Sequence, residues 1–279
     1  MILFAKSWWL LKSTHPIPSF AVTGFTVLLA IGYGIPTVTV LLIGISVLTQ
    51  QFSVGLSNDW LDSARDRTVG RKDKPAATGE VSARLIRNSS LVCAILALAS
   101  ASILGWSTAL MMFAMLAIGW SYNLGLKSNG LSALPYALGF GVLPIFVTLT
   151  LEPSSIPAWW VILSASLLGI SAHFANALPD LLDDEKTQVR ALPHILGQRV
   201  SAFVIASAAA TASLLVVTQS KTLDLVLAWG GFGLTVAFAI TASALALRAK
   251  PPRVIFYLLI GATFVNVVLL MLGQSLEPA

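Results

Sequence analysis

Nine apolar runs follow one another along this chain, at residues 17–34, 36–56, 83–104, 108–124, 131–151, 157–178, 200–219, 222–247 and 254–273, and no other feature limits the fold as strongly. Each approaches the ~20 residues that a helix needs to cross a bilayer. Backbone amides in hydrocarbon must find their partners within the chain, so runs of this length predict helices rather than a barrel. Only 10% of the 279 residues are charged and 56% are apolar, with a mean hydropathy of +0.84, so lipid is the solvent for most of the surface. The expected fold is all-α: one polytopic bundle of about nine transmembrane helices around a central cavity, a single domain over residues 1–279.

The connections alternate in character. Gly32–Pro36, Gly105–Ser107, Glu152–Pro157 and Gln219–Leu223 are short and carry Lys221 as their one base, whereas the other side of the bundle holds 16 of the 17 Lys and Arg residues. The positive-inside bias makes that face cytoplasmic. An odd span count then predicts a cytoplasmic N-terminus and active site with Pro278 and Ala279 outside, in a bacterial plasma membrane or its equivalent. The same bias accounts for the net charge of +5, so membrane lipids and not nucleic acid are the expected surroundings. The stretch before Pro16 has too short an apolar run for a cleaved signal; Trp8 and Trp9 between Lys6 and Lys12 predict an interfacial amphipathic segment. Cys93 is alone, which excludes an intrachain disulfide and a cysteine metal cluster.

Two cytoplasmic segments are longer and more polar than the rest, and they superpose at a displacement of 118 residues: Asn58 on Asn176, Asp62 on Asp180, Asp66 on Asp184, Lys72 on Arg190, Pro75 on Pro193 and Gly79 on Gly197. Six shared positions suggest a duplicated helical unit, around 58–79 and 176–197, whose two half-sites face each other. Steps of four residues on a helix set Asn58, Asp62 and Asp66 in one stripe, with Asp59 beside it. Clustered carboxylates at a membrane helix end repel one another and require a cation. Mg²⁺ suits them: it takes hard oxygen ligands and is usually held by one or two carboxylates together with substrate phosphates. Asn58, Asp59, Asp62, Asp66, Asp180 and Asp184 are the candidate metal-binding set, expected to hold two ions, and the five aspartates are the candidate catalytic residues.

Bases follow both stripes. Arg71, Lys72, Lys127, Lys186 and Arg190, with the amides Asn58 and Asn176, are candidates to meet a diphosphate, although topology alone also places Lys and Arg on this face. His173 stands three residues before Asn176 and seven before Asp180, on the same helical face and deeper, where it could position an acceptor or act as a base; Tyr122 is either a cavity residue or an interfacial anchor. His15 and His194 are expected to be plain loop residues.

The segment Asn58-Asp59-Trp60-Leu61-Asp62-Ser63-Ala64-Arg65-Asp66 resembles the NDxxDxxxD signature of the UbiA superfamily of intramembrane prenyltransferases, and Asp180 to Asp184 resembles its DxxxD motif. The likeness continues through Lys74-Pro75 to Gly79 and Tyr122-Asn123 to Lys127. It implies Mg²⁺-dependent cleavage of a polyprenyl diphosphate in a helical bundle and transfer of the prenyl group to a lipophilic acceptor, often an aromatic ring. Two other readings use the same acids: a membrane terpene cyclase, whose cation attacks its own double bonds, and an ion-coupled transporter built on repeats. Against the transporter, the acids cluster with bases at one face and not at mid-membrane.

Overall fold

The third helix shows how lipid and charge are reconciled in this molecule. In the computed structural model, which describes residues 2–181, 190–220 and 222–273, α3 runs without a break from Thr37 to Thr68. Its 32 residues reach roughly 48 Å at 1.5 Å per residue, well beyond a hydrocarbon core of about 30 Å. The surplus of about three turns carries the acidic stripe out of the lipid while still rigidly attached to a buried helix.

The remaining elements are α1 (Ile2–Lys12), α2 (Pro16–Gly32), a short α4 (Pro75–Thr78), α5 (Ala83–Ile103), α6 (Trp106–Leu124), α7 (Leu134–Thr148), α8 (Trp159–Ala177), α9 (Leu192–Gln219), α10 (Leu225–Ala246) and α11 (Val254–Leu272). Single 3-10 turns, Leu126–Ser128 and Leu178–Asp180, follow α6 and α8. No strand occurs among the described residues, so the all-α expectation stands.

Every one of the nine apolar runs folds into one helix, but helix length supports a smaller count of spans. Among the described residues six helices are long and apolar enough to cross a membrane (α3, α5, α8, α9, α10 and α11), and α1 with α2, bent by 62° at Ser13–His15, makes a seventh if taken as one broken span. The shortfall has local causes. The turn at Asn129–Ser132 consumes the start of the fifth run, leaving α7 only 15 residues, and Trp, Ser, Tyr and Asn at the ends of α6 dilute its hydropathy.

Helices pack closely where side chains are small. Ser46 donates to Ser100 at 2.8 Å and Ser90 to the Ser53 carbonyl at 2.8 Å, tying α3 to α5 through small hydroxyl side chains. α11 lies against α2, α8 and α10 and so closes the ring of helices around a central space. The displacement of 118 residues seen in the sequence has counterparts in backbone geometry: Pro75 opens α4 and Pro193 opens α9, and Gly79 and Gly197 both take a positive φ, +88° and +76°. Gly197 thereby breaks α9 after one turn, as Gly79 ends α4.

At Gly169 of α8 an added Cβ would stand 2.5 Å from the Tyr136 carbonyl oxygen and 2.9 Å from Phe140 Cβ, so α7 and α8 can approach only around a glycine. Gly169→Ala is expected to force these helices apart and to destabilise the protein by about 1–3 kcal/mol, the usual cost of overpacking. Gly230→Ala in α10, where nothing lies within 4 Å of the new methyl, should be neutral or slightly stabilising. Thermal unfolding of the two variants in detergent checks the contrast.

Candidate active site

The first acidic stripe emerges from lipid already neutralised. Asp59 is 2% exposed, and its Oδ1 accepts from Lys74 Nζ at 2.5 Å and meets His15 Nε2 at 3.0 Å. Asp62, 8% exposed, accepts from Lys127 Nζ at 2.6 Å and from Arg65 at 3.0 Å. Asp66, equally enclosed, has Arg65 at 3.7 Å. Each lysine is delivered by a local device. Lys74 is extended because Pro75 follows it and opens α4, and Lys127 sits in the 3-10 turn that α6 makes on leaving the bundle. Burial pulls the Lys127 ammonium below its usual range, while the pairing with Asp62 opposes that shift.

The amides hold the stripe in register. Asn58 donates to Asn123 Oδ1 at 3.1 Å and accepts from Lys74 at 3.5 Å, and Asn123 in turn donates to Ser57 Oγ at 2.7 Å and to the Val54 carbonyl at 2.9 Å. The hinge between α1 and α2 also presses on α3, because Gly55 has no side chain: a Cβ there would lie 2.4 Å from the Thr14 carbonyl oxygen. That contact lets His15, in a left-handed conformation at φ 52°, reach Asp59.

The second acidic segment lines the same cavity. Asp180, at the end of the 3-10 turn that prolongs α8, faces Arg253 at 3.9 Å. The same guanidinium donates to Asp73 at 3.3 Å, and Arg71 grips Asp73 with a two-pronged pair at 2.8 and 2.9 Å. Arg71 holds the Asp73 carboxyl below the ordinary carboxylate range, and Asp73 raises the Arg71 guanidinium further above its own. The two patches therefore adjoin on one side of the bundle, with Arg253 between them. Asp184 and Lys186 lie outside the described residues.

From these charged groups the cavity, about 640 Å³, descends between the helices into apolar walls that include Phe25, Met115, Ile118, Phe140 and Leu143. Near its mouth two phenols meet: Tyr122 and Tyr136 pack edge to face with ring centroids 5.3 Å apart, and Asn176 donates to the Tyr136 hydroxyl at 3.4 Å. A volume of this size, mostly apolar with polar groups at one end, fits a small amphiphile.

Several expected residues stand elsewhere. Lys72 and Arg190 are exposed and do not line the cavity; the base that reaches the stripe in that segment is Lys74, two residues on, because the chain turns at Asp73 before entering α4. His173 is fully buried behind Tyr136, 4.9 Å between rings, with Nε2 against Ser132 Oγ at 3.0 Å, and it does not line the cavity. Helical spacing placed it on the right face, but Tyr136 of α7 intervenes. His15, expected in a plain loop, belongs to the site. Its sequence signal is slight, a polar residue just before the proline that begins α2. Arg253 and Tyr136 come from helices remote in sequence and had no motif to announce them.

The hard oxygen donors of Asn58, Asp59, Asp62, Asp66 and Asp180 suit a divalent ion of the Mg²⁺ type. Among the described residues no three carboxylate, histidine or cysteine side chains converge into a ready-made cage, so the protein ligands alone would leave much of such an ion's shell to water or to phosphate oxygens. Removing Lys74 takes the cationic partner from the buried Asp59 carboxylate and leaves it beside the His15 imidazole. Lys74→Ala is expected to destabilise the protein by about 3–5 kcal/mol, while Lys72→Ala should change stability by less than about 0.5 kcal/mol. Paired unfolding curves in metal-free detergent buffer measure the difference.

The sequence model of the UbiA prenyltransferase family matches residues 17–260, from the first turn of α2 into α11. A curated relative, the bacteriochlorophyll synthase 33 kDa chain of Cereibacter sphaeroides, is 30% identical over 186 residues, 62% of this chain and 58% of the relative, so the match spans less than two thirds of that protein's length. Among solved structures, a UbiA homolog from Aeropyrum pernix K1 superposes with a TM-score of 0.75 at 17% identity, over 90% of this chain and 96% of that one. A UbiA homolog from Archaeoglobus fulgidus bound to GPP and Mg²⁺ gives 0.71 at 16% identity, over 96% and 99%; the same homolog bound to DMAPP and Mg²⁺ gives 0.67 at 19%, over 93% and 99%. An integral membrane bundle that shares its fold with these homologs and matches the family along all but its two ends is a member of the UbiA prenyltransferase family.

Proposed function

We propose that this protein ionises a polyprenyl diphosphate at the mouth of its cavity and transfers the prenyl group to a lipophilic, aromatic acceptor. One observation carries the reading: Asp59, Asp62, Asp66 and Asp180, with the cations beside them, line the same cavity as an apolar, aromatic-walled chamber. A diphosphate seeks the first environment and an isoprenoid tail the second. The A. fulgidus homolog holding GPP or DMAPP with Mg²⁺ supports the assignment of ligand class.

Asn58, Asp59, Asp62, Asp66 and Asp180, with Asp184, would hold Mg²⁺, two ions by the number of carboxylates, and bound Mg²⁺ supplies Lewis-acid stabilisation of the leaving diphosphate. The chain's own groups do the rest. Lys74, Lys127 and Arg71 stand fixed beside the carboxylates and give preorganised positive charge where the carbon–oxygen bond breaks and its electron pair passes to the diphosphate oxygen. The allylic cation left behind lies toward the rings of Tyr122, Tyr136 and Phe140, whose π faces favour positive charge, and the apolar walls exclude water that would otherwise quench it. The acceptor then contributes an electron pair to the prenyl carbon and loses a proton to the solvated mouth.

The strong bias of Lys and Arg to this side supports a cytoplasmic mouth. The paired proline and glycine geometry at Pro75–Gly79 and Pro193–Gly197 supports a single domain built from a duplicated unit, with Asp62 and Asp180 as counterpart ligands.

Asp66→Asn and Asp180→Asn are each expected to slow pyrophosphate release from an allylic diphosphate by about 10²–10³-fold with the fold intact, and EDTA should stop release until Mg²⁺ is restored. The assay offers prenyl diphosphates of graded length to purified protein, with and without host lipid extract, and weighs the products. Turnover that proceeds unchanged in both variants would sink the reading, whereas cyclised hydrocarbon formed without acceptor would move it to the cyclase.

A further inference from the structure

Arg253 differs from the other cations of the cavity. Lys74, Lys127, Arg65 and Arg71 each hold a carboxylate at 2.5–3.0 Å, and their side chains are 11–31% exposed. Lys12 lies over the Trp9 ring. Among the described residues Arg253 makes only long contacts, 3.3 Å to Asp73 and 3.9 Å to Asp180, and its side chain is 63% exposed. Asp73 is moreover already gripped by two nitrogens of Arg71, so Arg253 is its second basic partner.

Exposed pairs at such distances contribute little, and a guanidinium leaves them at small cost. A diphosphate offers more: parallel N–H···O bonds to phosphate oxygens are short, charge-assisted and matched to the arginine fork. Position decides the matter. Arg253 begins α11, the helix that closes the ring, and its side chain reaches across the cavity mouth to touch the loop after α3 on one side and the end of α8 on the other. A ligand bridging the two acidic patches must enter beside it or displace it.

We infer that Arg253 is a mobile diphosphate clamp, parked between Asp73 and Asp180 in the free protein and transferred to the phosphate oxygens when substrate arrives. The inference rests on the diphosphate reading above and adds to it a contact from the last helix, which lies outside both acidic segments. The clamp acts on substrate capture more than on bond cleavage, because the fixed charge at the breaking bond comes from the buried lysines. It ties α11 to both halves of the mouth only while the cavity is empty, so substrate exchanges an inter-loop tie for a protein–ligand one.

The test is calorimetric binding of inorganic pyrophosphate, in the presence of Mg²⁺, to the full chain purified in detergent. Arg253→Ala is expected to weaken binding at least about tenfold, or about 1.4 kcal/mol, and Arg253→Lys by less, since charge is kept and the fork is lost. With an allylic diphosphate the same variants should raise KM more than they lower kcat. Thermal unfolding and gel filtration of both variants report the fold, and Arg253→Gln offers a further check with an uncharged polar side chain. Pyrophosphate affinity unchanged in Arg253→Ala and Arg253→Gln, with only the unfolding temperature lowered, would show a structural tie and overturn the clamp while leaving the diphosphate reading in place. No pyrophosphate binding by the unsubstituted protein would overturn both.

Discussion

Two ion pairs at the end of one helix underlie this structure: Asp59 with Lys74 and Asp62 with Lys127. Carboxylates on a helix that has just left the hydrocarbon, and that are themselves almost fully enclosed, would be intolerable alone; enclosing a charge without a partner costs several kcal/mol. The lysines come from different places, one from the extended residue that leads into α4 and one from the turn after α6, so satisfying the acids also ties three segments together at the mouth. The cations that neutralise the acids are thereby fixed at the mouth of the cavity.

Rigid support explains why the acids stay in place. α3 is continuous through the membrane, the Asn58–Asn123–Ser57 bonds lock its last turns to α6, and Gly55 admits the Ser13–His15 hinge against its side. The second patch is built more loosely, on a 3-10 turn with a half-exposed Asp180. One half of the mouth is thus preorganised and the other is joined to it by exposed arginine contacts, an asymmetry that the sequence repeat conceals because it aligns like residues at like offsets.

The spacing of acids predicts a shared stripe, and Asn58, Asp62 and Asp66 do line one cavity with Asp180. Steps of four residues are a property of any helix, so this inference needed no tertiary information. The bases were read less well. Lys72 and Arg190 share an offset and were natural candidates, yet Lys72 points to solvent and Lys74 makes the contact, because a turn of irregular backbone has no period from which to compute direction. His173 failed for a different reason: its face was right, but a tyrosine from a neighbouring helix stands between it and the cavity.

What the sequence determined by itself was everything that follows from local periodicity and the solvent: helices in lipid, one charged side, an acidic stripe, and its recurrence 118 residues later. Folding in three dimensions decided which helices are long enough to span, which base meets which acid, that His15 and Arg253 belong at the mouth, and that Tyr136 screens His173. The division has a physical cause. Hydrophobicity and helical geometry act over a few turns and are written in neighbouring residues, whereas a hydrogen bond between positions 15 and 59, or an ion pair between 253 and 73, exists only because helix packing brings distant segments within 3–4 Å.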